Sequence, residues 1–320
     1  MSRRGSLVAV VISAAAFGTL AVLTPLAYDA GADPLPLLAW RFLIAAVLLG
    51  SVVMMRRPTD LLISRHDLAR YATLALFGYG AASICFFFAL KFTDASVVAV
   101  LLYAYPALVT VAGWLFLGDK ATPLRGLAVV VTFLGCALVV GVLGGPVSVS
   151  LPGVMLGLGA AVGYTLFNLL SHRWLPGRSQ LVMMTYTFAI ASVGAAMAAV
   201  GWRFAELGAT SGLSPVRRIA VSVGALSPTG WDARVWLLIA VIVIVPTFIA
   251  VVLYLQGIRG LGASQAAVIS TLEPLFTIAL AAFLLGERLV PIQFVGAALV
   301  LAGVVVAEVA ARRIDRPAAV

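Results

Sequence analysis

Long apolar runs with almost no charge inside them recur along the whole of this chain, and they leave few folds open. Crossing a bilayer takes roughly 17–25 mostly apolar residues, because a helix rises about 1.5 Å per residue through about 30 Å of hydrocarbon. Cutting the sequence at charges, prolines and glycine clusters gives about ten such segments. They lie near 7–28, 35–55, 69–90, 95–117 and 124–143, then near 152–172, 180–202, 235–257, 263–285 and 290–310. Backbone polar groups in lipid must bond within their own segment, so these runs are expected as helices and the chain as an all-α integral membrane protein. Of 320 residues, 63% are hydrophobic and 10% charged, against about 45–50% and about 25% in soluble domains. That balance excludes a water-soluble fold.

The formal charge of +9 would point to nucleic acid in a soluble protein, but here the basic residues sit in short connections between apolar runs and read as topology signals. With the amino terminus placed inside, fourteen Lys and Arg fall on the inner side. Six fall outside: Lys91, Arg203, Arg217, Arg218, Arg234 and Arg288; with Arg41 inside a span this accounts for all 21. Retained positive charge marks the cytoplasmic side, so both termini are expected there. Ser2-Arg3-Arg4 superficially resembles a twin-arginine signal, but the following run is too long for a signal core and is expected to stay as the first span. Cys85 and Cys136 lie in apolar runs and read as packing residues, and His66 and His172 as solvated ones. No cofactor or metal is expected.

The chain also repeats itself. Ala95-Ser96 matches Ala263-Ser264, Pro106 matches Pro274, Leu117-Gly118 matches Leu285-Gly286, Pro123 matches Pro291 and Gly135 matches Gly303, all at one offset (274 − 106 = 168). Earlier in each half, Thr19-Leu20 matches Thr165-Leu166, Phe42 matches Phe188 and Ile44-Ala45 matches Ile190-Ala191 at another (165 − 19 = 146). The difference, 168 − 146 = 22, is an insertion in the connection 203–234. The expected division is a first five-helix repeat over 1–145, a second over 146–311 with an inserted loop at 203–234, and a cytoplasmic tail at 312–320. An odd number of spans per repeat enters the second copy upside down, and inverted repeats are characteristic of secondary transporters, with the site near the midplane.

Several pieces carry a family likeness: Trp40-Arg41-Phe42-Leu43-Ile44-Ala45-Ala46, Ala89-Leu90-Lys91, Tyr105-Pro106 and Gly118-Asp119-Lys120, then Glu273-Pro274 and Gly286-Glu287-Arg288. In this order, twice over, the chain resembles the drug/metabolite transporter superfamily, specifically its bacterial proteins with two EamA domains. The resemblance implies a ten-span bundle in the bacterial inner membrane, with one central cavity and a role in export of amino acids, other metabolites or toxic compounds. Asp119-Lys120 departs from the commoner Glu-Arg, and the connection before the eighth span is longer than usual.

Few polar groups are available for chemistry. Arg41 stands several residues inside the second span, where a charge costs roughly 2.5–3.5 kcal/mol unless it faces water or a partner. It is a candidate for binding an anionic substrate group; the alternative is a snorkelling or lattice-fixing residue paired with carbonyls or Asp33. Glu273, mid-way along the ninth span, is a candidate proton-coupling group or binder of a substrate amine, the alternative being a buried pair with Arg41. Pro106 and Pro274 each remove a helical hydrogen bond, which frees the carbonyls of Leu102 and Ser270 and predicts a kink or local unwinding at corresponding depths. Tyr79, Tyr103, Tyr105, Tyr164, Asn168, Trp114 and Tyr254 complete an expected cavity lining, although aromatics also form belts at membrane edges. Gly159 with Gly163, and Gly296 with Gly303, read as close-packing positions.

The resulting expectation is a secondary transporter that moves a small metabolite by alternating access, best matched to an amino acid or related zwitterion moving outward, with protons as a possible coupling partner. Two other classes stay open at this stage, an integral membrane enzyme and a channel or sensor. The spans offer essentially one carboxylate and no nucleophile with its base, and no Walker motif occurs, which disfavours an enzyme or an ATP-driven pump.

Overall fold

Proline and short polar residues set where the helices begin. Pro34, Pro123, Pro215 and Pro291 each open a helix, a position where the missing N–H is no loss. Ser64 and Asp232 cap two others by accepting from Asp67 N at 3.0 Å and Val235 N at 3.0 Å. The computed structural model describes residues 3–117, 122–140, 150–210, 213–224, 226 and 231–314, and among these there is no strand. Helices α1 Arg3–Asp29, α2 Pro34–Arg56, α3 Arg65–Ala89, α4 Ala95–Phe116 and α5 Pro123–Val140 make up the first half. The second comprises α6 Leu151–Trp174, α7 Gln180–Thr210, α8 Pro215–Gly224, α9 Ala233–Leu261, α10 Ala263–Ser270, α11 Glu273–Leu284 and α12 Pro291–Ile314. Eight of them, α1 to α7 and α9, are long and apolar enough to cross a membrane, and α11 and α12 supply shorter apolar stretches. The protein is thus an all-helical, multi-pass membrane protein among its described residues.

The helices pair in couples that exchange the two halves. α2 packs on α7 and α5 on α12; α1 packs on α9 while α3 packs on α6; α1 packs on α11 while α4 packs on α6. At the α5–α12 contact the backbones nearly touch: a Cβ on Gly135 would stand 2.6 Å from Gly296 O, and one on Gly296 2.7 Å from Gly135 O. Gly163 does the same for α6 against α3, where a Cβ would meet Ala82 N at 2.8 Å. The main core gathers Phe42, Leu49, Tyr71, Phe87, Met183, Phe188 and Ile239, and a second cluster joins α4, α5, α6 and α12 around Leu101, Cys136 and Val300. Apolar residues such as Val193, Met197, Leu115 and Phe283 point outward, as they do where the surrounding medium is lipid.

Three helices contain stretches of wide, π-type winding: Leu74–Tyr79 in α3, Gly113–Leu117 in α4 and Ile244–Ile249 in α9. Pro246 explains the last, since it withholds an N–H from the regular ladder. Of the kink or local unwinding expected at Pro106 and Pro274, the structure shows local unwinding. α4 is interrupted by a turn at Tyr103-Ala104 and resumes at Tyr105, and a turn at Thr271-Leu272 separates α10 from α11. Both prolines therefore stand in the first turn of a new helical segment.

The connection 203–234, expected as a loop, is largely helical. α7 runs on to Thr210, and Pro215–Gly224 forms α8. Alanine, leucine and the Arg203–Glu206 pair (2.7 Å) favour continuation of the helix past the apolar run, which a cut made on charge alone misses. The Gly118-Asp119-Lys120 motif, the end of the fifth apolar run at 141–143 and most of the tail 312–320 lie outside the described residues.

Candidate functional site

A cavity of about 80 Å³, open at its mouth, lies among α1, α2, α3, α4, α6 and α11. Its wall is mainly aromatic and aliphatic, from Phe17, Leu20, Phe86, Phe87 and Leu102, and its polar groups are few: Arg41, Tyr79, Ser83, Tyr164, Glu273 and Thr277. Of the residues singled out in the sequence, Arg41, Glu273, Tyr79 and Tyr164 line this space.

Arg41 is 2% exposed. Its Nε donates to Thr247 Oγ1 at 3.4 Å and its Nη2 to Tyr79 OH at 3.5 Å, both long bonds to neutral groups. The guanidinium carbon lies 5.3 Å from the Phe42 ring centroid and 5.4 Å from that of Phe87. Among the described residues no carboxylate pairs with it; Asp33, a candidate partner from sequence, is instead 3.4 Å from Lys91 Nζ. Desolvating an ion costs several kcal/mol, and cation–π contacts return about 2 kcal/mol each at best. A guanidinium has five N–H donors, so this one faces the cavity with positive charge and donors to spare. Tyr79 and Thr247 stand at the repeat offset (247 − 79 = 168), each within a π-wound stretch.

Glu273 opens α11 directly after the turn at Thr271-Leu272. Its carboxylate accepts from Tyr103 OH at 2.9 Å, and the same hydroxyl lies 3.0 Å from the carbonyl oxygen of Ser270. The Ser270 carbonyl is one of the two freed by the prolines, and it has found a partner in the other half of the chain. Leu102, which carries the other, lines the cavity. Tyr105 packs edge-on against Tyr103 (6.0 Å) and Tyr164 (4.8 Å), which makes it a support behind the wall. Asn168 is not brought to the cavity; its Nδ2 donates to Tyr164 O one turn back, at 2.7 Å. Trp114 and Tyr254 are likewise not in the lining.

Residues that sequence reasoning passed over include Phe87, Thr247 and Thr277. Thr277 Oγ1 reaches Gly18 O at 3.1 Å and so fixes α11 against α1. Glu287 was also missed. Its carboxylate accepts from Ala95 N (2.7 Å), Ser96 N (3.0 Å) and Ser96 Oγ (2.7 Å), capping α4 from the segment that follows α11. The repetition of Ala-Ser and of Gly followed by an acid was the available signal. Asp119, the counterpart of Glu287 (287 − 119 = 168), lies outside the described residues.

Comparison with known proteins agrees with this architecture. A solved crystal structure superposes with a TM-score of 0.61 at 18% identity over 98% of this chain and 100% of that one, a likeness of fold. An uncharacterized transporter of Bacillus subtilis (strain 168), YyaM, is 25% identical over 273 residues, 84% of this chain and 83% of its own. A second from the same organism, YcbK, is 51% identical over 59 residues, 18% of this chain and 19% of its own. The model of the EamA-like transporter family matches twice, over residues 4–141 and 151–308. With both halves matched, the chain belongs to the EamA-like transporter family, within the drug/metabolite transporter superfamily.

Proposed function

We propose that the protein is a secondary transporter of the bacterial inner membrane, built as ten spans in two inverted five-helix repeats with both termini cytoplasmic, which exports an amino acid or related zwitterion by alternating access. The observation that carries this reading is one cavity lined both by a buried arginine without a carboxylate partner among the described residues and by the half-buried Glu273. A substrate carboxylate would complete the guanidinium's hydrogen bonding, and a substrate amine would approach Glu273. The aromatic wall between them accommodates an apolar side chain.

The half-exchanging helix pairs and the breaks at corresponding places support the repeat. α4 and the α10–α11 pair are discontinuous at the depth of the cavity, so each can bend without unwinding a continuous ladder. Glu273 can carry a proton when the substrate amine is absent, which would couple export to proton entry.

Transport of labelled amino acids in proteoliposomes, with and without an imposed pH gradient, tests the reading. Saturable, gradient-sensitive movement of zwitterions is expected. Glu273→Gln should abolish the response to the gradient while the protein remains inserted and folded; undiminished gradient-driven flux in that variant would remove the coupling role.

A further inference from the structure

α7 is too long for the membrane. At about 1.5 Å per residue its 31 residues extend for about 46 Å, against about 30 Å of hydrocarbon. About 20 residues from Gln180 bring it to the neighbourhood of Val200. Trp202, 69% exposed, follows at the level where tryptophan accumulates between lipid and water. The outward face of α7 passes through Val193 (59% exposed) and Met197 (69%), and at helical spacing it continues through Gly201 to Phe204 and Gly208.

α8 is packed on that continuation. Arg218 lies over the Phe204 ring, 5.0 Å from its centroid, and its Nη1 would meet a Cβ on Gly208 at 2.6 Å. Ser222 is fully buried. Val216, Ile219 and Val223, at spacings of three and four, form a stripe left 78%, 53% and 52% exposed, with the exposed Arg217 on its flank. α8 thus sits on the lipid-facing edge of the protein, at headgroup height, with an apolar stripe that no described residue covers. The segment 203–234 holds four arginines against two acids, Glu206 and Asp232, on the side where positive charge is usually sparse.

We infer that α8 is an interfacial anchor, with Val216, Ile219 and Val223 set into the lipid surface and the exposed Arg217 binding the phosphate of an anionic phospholipid. Continuity with the exposed face of α7 selects lipid as the occupant, and the charge selects anionic headgroups. Such an anchor would fix the height of α7 in the membrane, and through the α2–α7 contact it would fix the helix that carries Arg41.

The test uses the full chain in nanodiscs, with an environment-sensitive fluorophore on Ile219→Cys in a Cys85→Ala, Cys136→Ala background and, independently, on Val223→Cys. The nanodiscs contain phosphatidylcholine with or without phosphatidylglycerol, and nitroxides are placed on either headgroup or on the upper acyl chain. Blue-shifted emission, quenching by the shallow acyl nitroxide and stronger quenching from labelled phosphatidylglycerol than from labelled phosphatidylcholine are expected. Arg217→Gln should lower that headgroup preference about fivefold without changing depth. Water-like emission at both positions would overturn the inference, as would equal quenching from the two headgroups. A blue-shifted probe that lipids do not quench would assign the stripe to a second copy of the chain, and would equally overturn it.

Discussion

Replacing Glu287 with alanine should weaken the protein by more than its place in a connecting segment would indicate. One carboxylate there holds two backbone N–H groups and one hydroxyl across 191 and 192 residues of chain, at 2.7–3.0 Å. Hydrogen bonds to a charged group are worth about 1.5–3 kcal/mol each, but loss of a helix cap typically costs about 0.5–2 kcal/mol because water takes over the orphaned N–H groups. Glu287 is only half-buried, so water has partial access, and a total near 2–3 kcal/mol follows. Ser96→Ala, which removes one of the three bonds, should cost about 1 kcal/mol. The hydroxyl bond is already lost in Glu287→Ala, so the double variant should match that single variant to within about 0.5 kcal/mol. Reversible unfolding in mixed micelles gives all three values, and amide exchange at Ala95 and Ser96 should accelerate in Glu287→Ala. Strictly additive costs, or unchanged exchange at those two amides, would refute the capping role.

Arg41→Lys retains the charge but not the planar fork, and should raise KM for carboxylate-bearing substrates about tenfold while the Glu273-dependent response to a pH gradient persists; proteoliposome kinetics measure both. Tyr103→Phe removes the hydroxyl that holds Glu273 and Ser270 O, and a loss of about 1–3 kcal/mol in thermal or chemical unfolding is expected, together with slower gradient-driven flux. Gly135→Ala forces backbone against backbone and should lower stability by at least about 1–3 kcal/mol, whereas Gly201→Ala, with nothing within 4 Å of the new methyl, should be neutral or gain up to about 1 kcal/mol.

The apolar runs mark where helices cross because the cost of burying charge in lipid is written residue by residue, and the boundaries at Pro34, Pro123 and Pro291 fall where proline puts them. The 168-residue offset likewise points to Pro106 and Pro274, although a single missing N–H does not distinguish a kink from a break. Cavity membership is harder to read. In a soluble helix the polar face identifies itself, but here the lipid-facing and core-facing sides are both apolar, so nothing local separates Asn168, which bonds its own helix, from Thr277, which lines the cavity. The π-wound stretch at Pro246 has a visible cause, while those at Leu74–Tyr79 and Gly113–Leu117 contain no proline and depend on packing between distant segments. The capping role of Glu287 was out of reach for the same reason: its partners are nearly two hundred residues away.

The glycine contact between α5 and α12 has a mechanical consequence. Where Gly135 and Gly296 meet, each glycine also receives a side chain of the facing helix, since a Cβ on Gly135 would stand 2.8 Å from Val300 Cγ2 and one on Gly296 2.8 Å from Val139 Cγ2. A seam of that kind resists being pulled apart, because close backbone contact is lost along its whole length, and the two valines seated over the glycines oppose sliding and rotation as well. The α5–α12 pair therefore holds the two halves of the molecule together as one rigid unit, with backbone contact and interlocked valines acting at the same place.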